Sequence, residues 1–124
     1  MRIQAAAKLG HAVSGTDVDT LRDAVAIALK HGHIVPHANQ NMGGDEVLYG
    51  RAGLLWSILN IRVLSLDEKS TEALKPIFES VPHLIKVIVD AGRQGHRDYV
   101  QAYGNTDALP LMWTYKEGRY GLGA

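Results

Sequence analysis

Between Leu54 and Leu64 the chain reads Leu-Leu-Trp-Ser-Ile-Leu-Asn-Ile-Arg-Val-Leu, and this run restricts the fold more than any other stretch. On a helix from about Asp45 to Leu66, the side chains of Leu54, Leu55, Trp56, Ile58, Leu59, Ile61, Val63 and Leu64 point in nearly every direction around the axis. A helix that is apolar all round is a buried one, packed on more than one side. A small domain must wrap such a rod completely. A larger assembly with two layers of helices accommodates it directly.

The segments on either side read as further helices. Residues 2–13 form a first one whose pattern rests mostly on alanines, with Gly10 inside it and Ser14-Gly15 as its stop. Thr16 or Asp17 caps a second, in which Leu21, Val25, Ala28 and Leu29 share one face and Gly32 ends the run. Its acidic residues gather early and Lys30 and His31 late, as the helix dipole favours. Residues 33–44 follow as a long loop, and after the central rod Asp67 or Ser70 caps a short fourth helix. Pro76 is tolerated if a helix restarts there. Ser80-Val81-Pro82 launches a fifth helix through Leu84, Ile85, Ile88 and Val89, with Gly92 and Gly95 as its stop. Tyr99 to Asn105 reads as loop, and Leu109 to Tyr120 as a β-hairpin. The fold class expected is therefore all-α with one minor hairpin.

Composition narrows the function classes. The 124 residues carry 13 basic and 13 acidic side chains, so no net charge favours nucleic acid or an anionic membrane as partner. With 46% hydrophobic and 21% charged residues the chain is built to bury a core rather than to remain disordered. No cysteine is present, which removes disulfides, thiolate metal sites and a cysteine nucleophile at one stroke. The longest nearly uncharged stretch, Ala52 to Ile61, is far short of the roughly 20 residues that span a bilayer. The expected location is the cytoplasm, with peripheral attachment at the plasma membrane left open.

The segment Asp45-Glu46-Val47-Leu48-Tyr49-Gly50-Arg51-Ala52-Gly53 concentrates the candidate chemistry. Asp45 and Glu46 stand at the expected helix start, where the dipole stabilises carboxylates. Gly50 and Gly53 are three apart on one helix face, and each costs about 1 kcal/mol against alanine in an exposed helix interior. Either another backbone or a ligand approaches that bare face closely. Arg51, between the two glycines, can pair with an acidic side chain or hold a carboxylate or phosphate bidentately.

This segment, followed by Leu54-Leu55, closely resembles the first glycine motif of eukaryotic lanthionine-synthetase-C-like proteins. Leu109-Pro110-Leu111-Met112-Trp113 and then Tyr120-Gly121-Leu122-Gly123-Ala124 resemble the approach to that family's next motif, which continues into Ala-His-Gly. Ile85 to Gly95 is similar to its outer-helix pattern, so the resemblance covers most of residues 17–124. It implies an α/α toroid, two concentric rings of helices with glycine motifs at the inner-helix starts. The helix 45–66 is then an inner one, and residues 1–124 are an incomplete toroid domain.

Members of the family hold zinc through two Cys and one His of their C-terminal half. The metal lowers the pKa of a thiol, glutathione in the eukaryotic relatives, which adds to dehydroamino acids in peptides and proteins. The resemblance makes Asp45 or Glu46 the counterpart of the acidic residue near the first motif, and Arg51, Gly50 and Gly53 the substrate-binding candidates. This chain departs from the pattern in having no Cys and in stopping before the motif histidine. No cofactor is therefore expected in these residues, and the chain alone is expected to be inactive.

Two other readings compete. One is a non-catalytic helical binding module that uses the loops at 33–44 and 99–110. The other is a toroid of the glycoside-hydrolase type, which needs two carboxylates bracketing a sugar; adjacent Asp45 and Glu46 do not provide that spacing. His31, His33 and His37 have a metal-like spacing but no carboxylate to orient them, and they read better as a helix-end cation and solvated loop residues. His11, His83 and His96 read as isolated surface or satisfied histidines.

Overall fold

A computed structural model describes residues 2–30, 44–45, 50–116 and 119–121. In chain order the elements are α1 (Arg2–Lys8), α2 (Gly15–Lys30), α3 (Arg51–Arg62), α4 (Glu68–Glu79), α5 (Val81–Tyr103), β1 (Trp113–Lys116) and β2 (Arg119–Gly121). The protein is mostly helical. β1 and β2 pair antiparallel, Trp113 opposite Gly121 and Thr114 opposite Tyr120, with an irregularity before Lys116.

The first helix ends earlier than its alanines suggest, because Gly10 is its stop rather than an interior residue. Gly10 has φ +69°, the left-handed conformation that glycine adopts without strain. Its N–H bonds to the Ala7 carbonyl at 3.1 Å, and the His11 N–H reaches back to Ala6 at 2.8 Å. That pair of bonds is the Schellman closure, and it satisfies two of the helix's last carbonyls. α2 starts at Gly15, ahead of the expected caps at Thr16 or Asp17, with the Val18 N–H on the Ser14 carbonyl. Its expected stop at Gly32 and the loop from 33 to 43 lie outside the described residues.

α3 corrects the reading of the central run. It covers 51–62 instead of 45–66, and it is buried on one side only. Ile58 and Ile61 are fully enclosed, with Leu54 and Leu55 packed beside them. Trp56 is 63% exposed, Leu59 40% and Val63 80%, so the opposite apolar face looks outward. The helix cannot run on to Leu66 because Asp67 caps the next one. Asp67 is extended (ψ 160°) and its carboxylate accepts the Ser70 N–H at 3.1 Å.

α4 passes through Pro76, so no helix restarts there; the proline lies inside the helix. Ser80 alone joins α4 to α5, and Pro82 occupies the opening turn of α5, where its missing N–H has no helical partner to lose. α5 is also longer than its sequence suggests. It runs through Gly92 and Gly95 and includes Tyr99 to Tyr103, ending only at Gly104 with φ +86°.

The core lies where α2, α3, α4 and the first turns of α5 meet, around Ile58, Ile61, Leu74, Ile77 and Leu84. Leu74 and Ile77 share one stripe of α4, and Val81, Leu84 and Ile88 share one of α5, at the three- and four-residue spacing that helix packing requires. Ile3 attaches α1 to the same cluster.

Candidate functional site

The described residues around Arg51 are tied together at the start of α3. Gly50 is the residue before the helix, in extended conformation (φ −110°, ψ −169°) and with no side-chain cap. It is therefore not an interior helix residue sharing a face with Gly53, and the interior glycine penalty does not apply to it. Gly53 lies in the first turn of α3, half-buried. The Arg51 N–H, which no helix can satisfy at this position, bonds to the Gly44 carbonyl at 2.9 Å.

The Arg51 side chain is turned inward and is 3% exposed. Its Nη1 donates to Asp45 Oδ1 at 3.0 Å, and its Nε donates to the Ala28 carbonyl at 3.0 Å. Ala28 lies in the last turn of α2, where carbonyls have no partner within the helix and the dipole end is negative. A guanidinium there satisfies a stranded acceptor and meets a favourable field. Asp45, 4% exposed, completes a buried ion pair. Arg51 thus joins three pieces of chain: the end of α2, the turn at Gly44-Asp45 and the start of α3.

Of the sequence candidates, Asp45, Gly50 and Arg51 are brought together, and Gly53 stands one turn along. Asp45 is not in the first turn of a helix as expected; it precedes α3 and acts on it through Arg51. Glu46 lies outside the described residues, as do His31, His33 and His37. The Arg51 groups that were candidates for holding a substrate carboxylate or phosphate are engaged within the chain here. What the arrangement does chemically is to fix the backbone on either side of residues 46–49.

Among the described residues no group of three His, Cys, Asp or Glu stands close enough together to hold a metal ion. His11 and His83 are on the surface. His96 is satisfied: its Nδ1–H donates to the Leu109 carbonyl at 2.6 Å. Among the described residues, surface hollows lie on α4 beside Glu68, Lys69 and Glu72, and between Gly10-His11 and Ser65 to Asp67. Among the described residues, Asp67 and Asp90 have carboxyl groups held below the usual aspartate range. For Asp67 the cause is the hydrogen bonds from the Ser70 hydroxyl and amide; for Asp90 it is the hydrogen bond from Lys86, reinforced by the Lys86 and Arg93 charges.

No helix among the described residues is long and apolar enough to cross a membrane. Comparison of the chain with protein-family models, with curated proteins and with solved structures gives no match.

Sequence reasoning missed the tie from Arg51 to the end of α2. An arginine in an apolar setting, a few residues after an acidic pair, signals an internal ion pair as well as a ligand clamp. Nothing in the spacing names Ala28 as the second acceptor.

Proposed function

We propose that this chain is part of a lanthionine-synthetase-C-like α/α toroid and carries its first glycine motif. In such a protein the parent reaction is zinc-dependent addition of a thiol, glutathione, to dehydroalanine or dehydrobutyrine in a peptide or protein. The S–H adds across the C=C bond, sulfur to Cβ and the proton to Cα, leaving a thioether. The chain has no cysteine, so the two Cys ligands of that family's zinc are not among its residues, and no step of the addition is assigned to it.

The observation that carries the reading is the motif Asp45 to Gly53 at the entrance to α3. Arg51 and Asp45 act here as positioning residues that tie the start of α3 to Asp45 and to the end of α2, and Asp45 or Glu46 remains the acidic candidate. The outward stripe Trp56, Leu59 and Val63 fits a helix meant to be flanked on two sides, as an inner-ring helix is.

Two measurements test this. Reading the encoding nucleotide sequence past Ala124 is expected to give Ala-His-Gly, then a Cys and later a Cys-His pair; a continuation lacking them overturns the assignment. The purified chain, given zinc, glutathione and a dehydroalanine peptide, is expected to form no thioether by mass spectrometry. Turnover by this chain alone refutes the placing of the chemistry elsewhere.

The same exposed stripe favours a second reading, a helical module that binds a protein through it. A monomer by sedimentation, with a sharp reversible melt, supports the module; self-association or a molten state supports the incomplete ring.

A further inference from the structure

Helix α5 has 23 residues, against 12 each in α3 and α4. At a rise of about 1.5 Å per residue it is ~34 Å long beside neighbours of ~18 Å. The helical core takes Val81 and Leu84 from its first turns, whereas Ile88, Ala91 and Met112 are buried apart from that cluster. The second half of α5 therefore projects from the core, and its apolar side is covered by the chain that follows it.

The covering segment is fitted closely. Long-range hydrogen bonds join it to α5, among them the Met112 N–H to the Gly92 carbonyl at 2.9 Å, the Trp113 indole N–H to the Ile88 carbonyl at 2.9 Å, and His96 Nδ1–H to the Leu109 carbonyl. Both glycines are needed for the approach. A Cβ at Gly95 would collide with the Met112 carbonyl oxygen, and one at Gly92 would stand 2.6 Å from the Trp113 ring. Gly104, with φ +86°, turns the chain back, and residues 101–107 are exposed throughout.

We infer that residues 104–113 form a strap, hinged at Gly104, that opens from and closes on the second half of α5 independently of the helical core. Among the described residues its long-range hydrogen bonds all end on one helix, and Met112 is buried outside the main core cluster, which is the setting in which a segment opens below the free energy of global unfolding. Opening bares the glycine face of α5 while leaving Ile58, Ile61, Leu74 and Leu84 packed.

Native-state hydrogen exchange by NMR on the full chain, at rising sub-denaturing urea, tests this. The Met112 amide and the Trp113 indole proton are expected to exchange together, at least tenfold faster than the Ile58 and Leu74 amides and with a weaker urea dependence. Exchange of all four at one rate with one urea dependence overturns the inference. Gly95→Ala is expected to speed exchange at Met112 and Trp113 at least tenfold while sparing Ile58 and Leu74. His96→Ala, which disturbs no packed glycine, is expected to speed the same two protons several-fold. An equal shift of core and strap protons in both variants, or no shift of the strap protons in His96→Ala, refutes the independent strap even if Gly95→Ala does not fold.

Discussion

Replacing Arg51 by methionine keeps much of its volume and removes its charge and donors. Asp45 then stands 4% exposed without the guanidinium that Nη1 had brought to 3.0 Å, and the Ala28 carbonyl loses the Nε–H. Breaking a buried pair from one side costs about 3–5 kcal/mol, because a charge is left in a medium that solvates it poorly. The stranded carbonyl adds about 1–3 kcal/mol to the extent that water does not reach it. Set against a total of roughly 5–15 kcal/mol for a domain, this is a large fraction. With a urea m-value of about 2 kcal/mol/M, the loss of the pair alone moves the unfolding midpoint down by ~1.5–2.5 M. Asp45→Leu should cost a similar amount for the mirror-image reason. The double variant, apolar on both sides, should recover most of the loss, since well-packed hydrophobic replacements of buried pairs are often neutral or stabilising. Urea titrations of the four proteins followed by circular dichroism close a double-mutant cycle. A coupling of at least about 2 kcal/mol is expected for groups in direct contact. Additive single effects, or an Arg51→Met cost below ~1 kcal/mol, would refute both the burial and the pairing.

Other consequences are simpler to check. Asp67 is held below the usual aspartate range by Ser70, so the cap of α4 contributes fully above about pH 4 and is lost as the pH falls through its lower native value. Asp67→Asn keeps a capping acceptor that does not titrate, and an acid titration of stability should show a flatter limb for it than for the parent. Gly10→Ala puts a Cβ on a residue at φ +69°, and thermal melts should report a loss of about 1–2 kcal/mol. On α3, Ile58→Ala should cost about 2–5 kcal/mol in denaturant titrations. Val63→Thr, at 80% exposure, should stay within about 0.5 kcal/mol of the parent. Trp56→Glu should leave stability similarly unchanged while reducing any self-association seen by sedimentation, because it places a charge on the exposed stripe.

What was legible in the sequence was helix content and the inward faces. Leu84 and Ile88 were legible as the inward stripe of α5, although Ile85, read with them, is 45% exposed, and Asp67 was legible as one of two caps for α4. An acidic partner for Arg51 was one of two readings the sequence left open, the other being a ligand carboxylate or phosphate. The length of α3 was not. Periodicity counts apolar side chains without asking whether the backbone is helical, and both ends of this run are occupied by residues with stronger obligations. Gly50 stands extended before the helix, with the Arg51 N–H turned to Gly44, and Asp67 must be extended to cap α4. Trp56, Leu59 and Val63 then belong to the helix without belonging to the core.

The glycines teach the same lesson from the other direction, because one residue type served two structural needs. Gly10 and Gly104 do stop helices, and their positive φ is the reason a glycine is required there. Gly92 and Gly95 look identical in sequence and stop nothing. Their φ is ordinary and α5 runs straight through them; what they supply is the absence of a side chain where Met112 and Trp113 come against the helix. A glycine in a helix costs about 1 kcal/mol against alanine, so two of them one turn apart imply a compensating contact as readily as a terminus. The contact lies 17 residues or more along the chain, beyond the reach of any local pattern. Gly95→Ala separates the two meanings sharply. At a true stop the substitution strains the backbone, whereas here it favours the helix and displaces the strap, so helicity by circular dichroism should hold or rise while Trp113 loses its seat on Ile88.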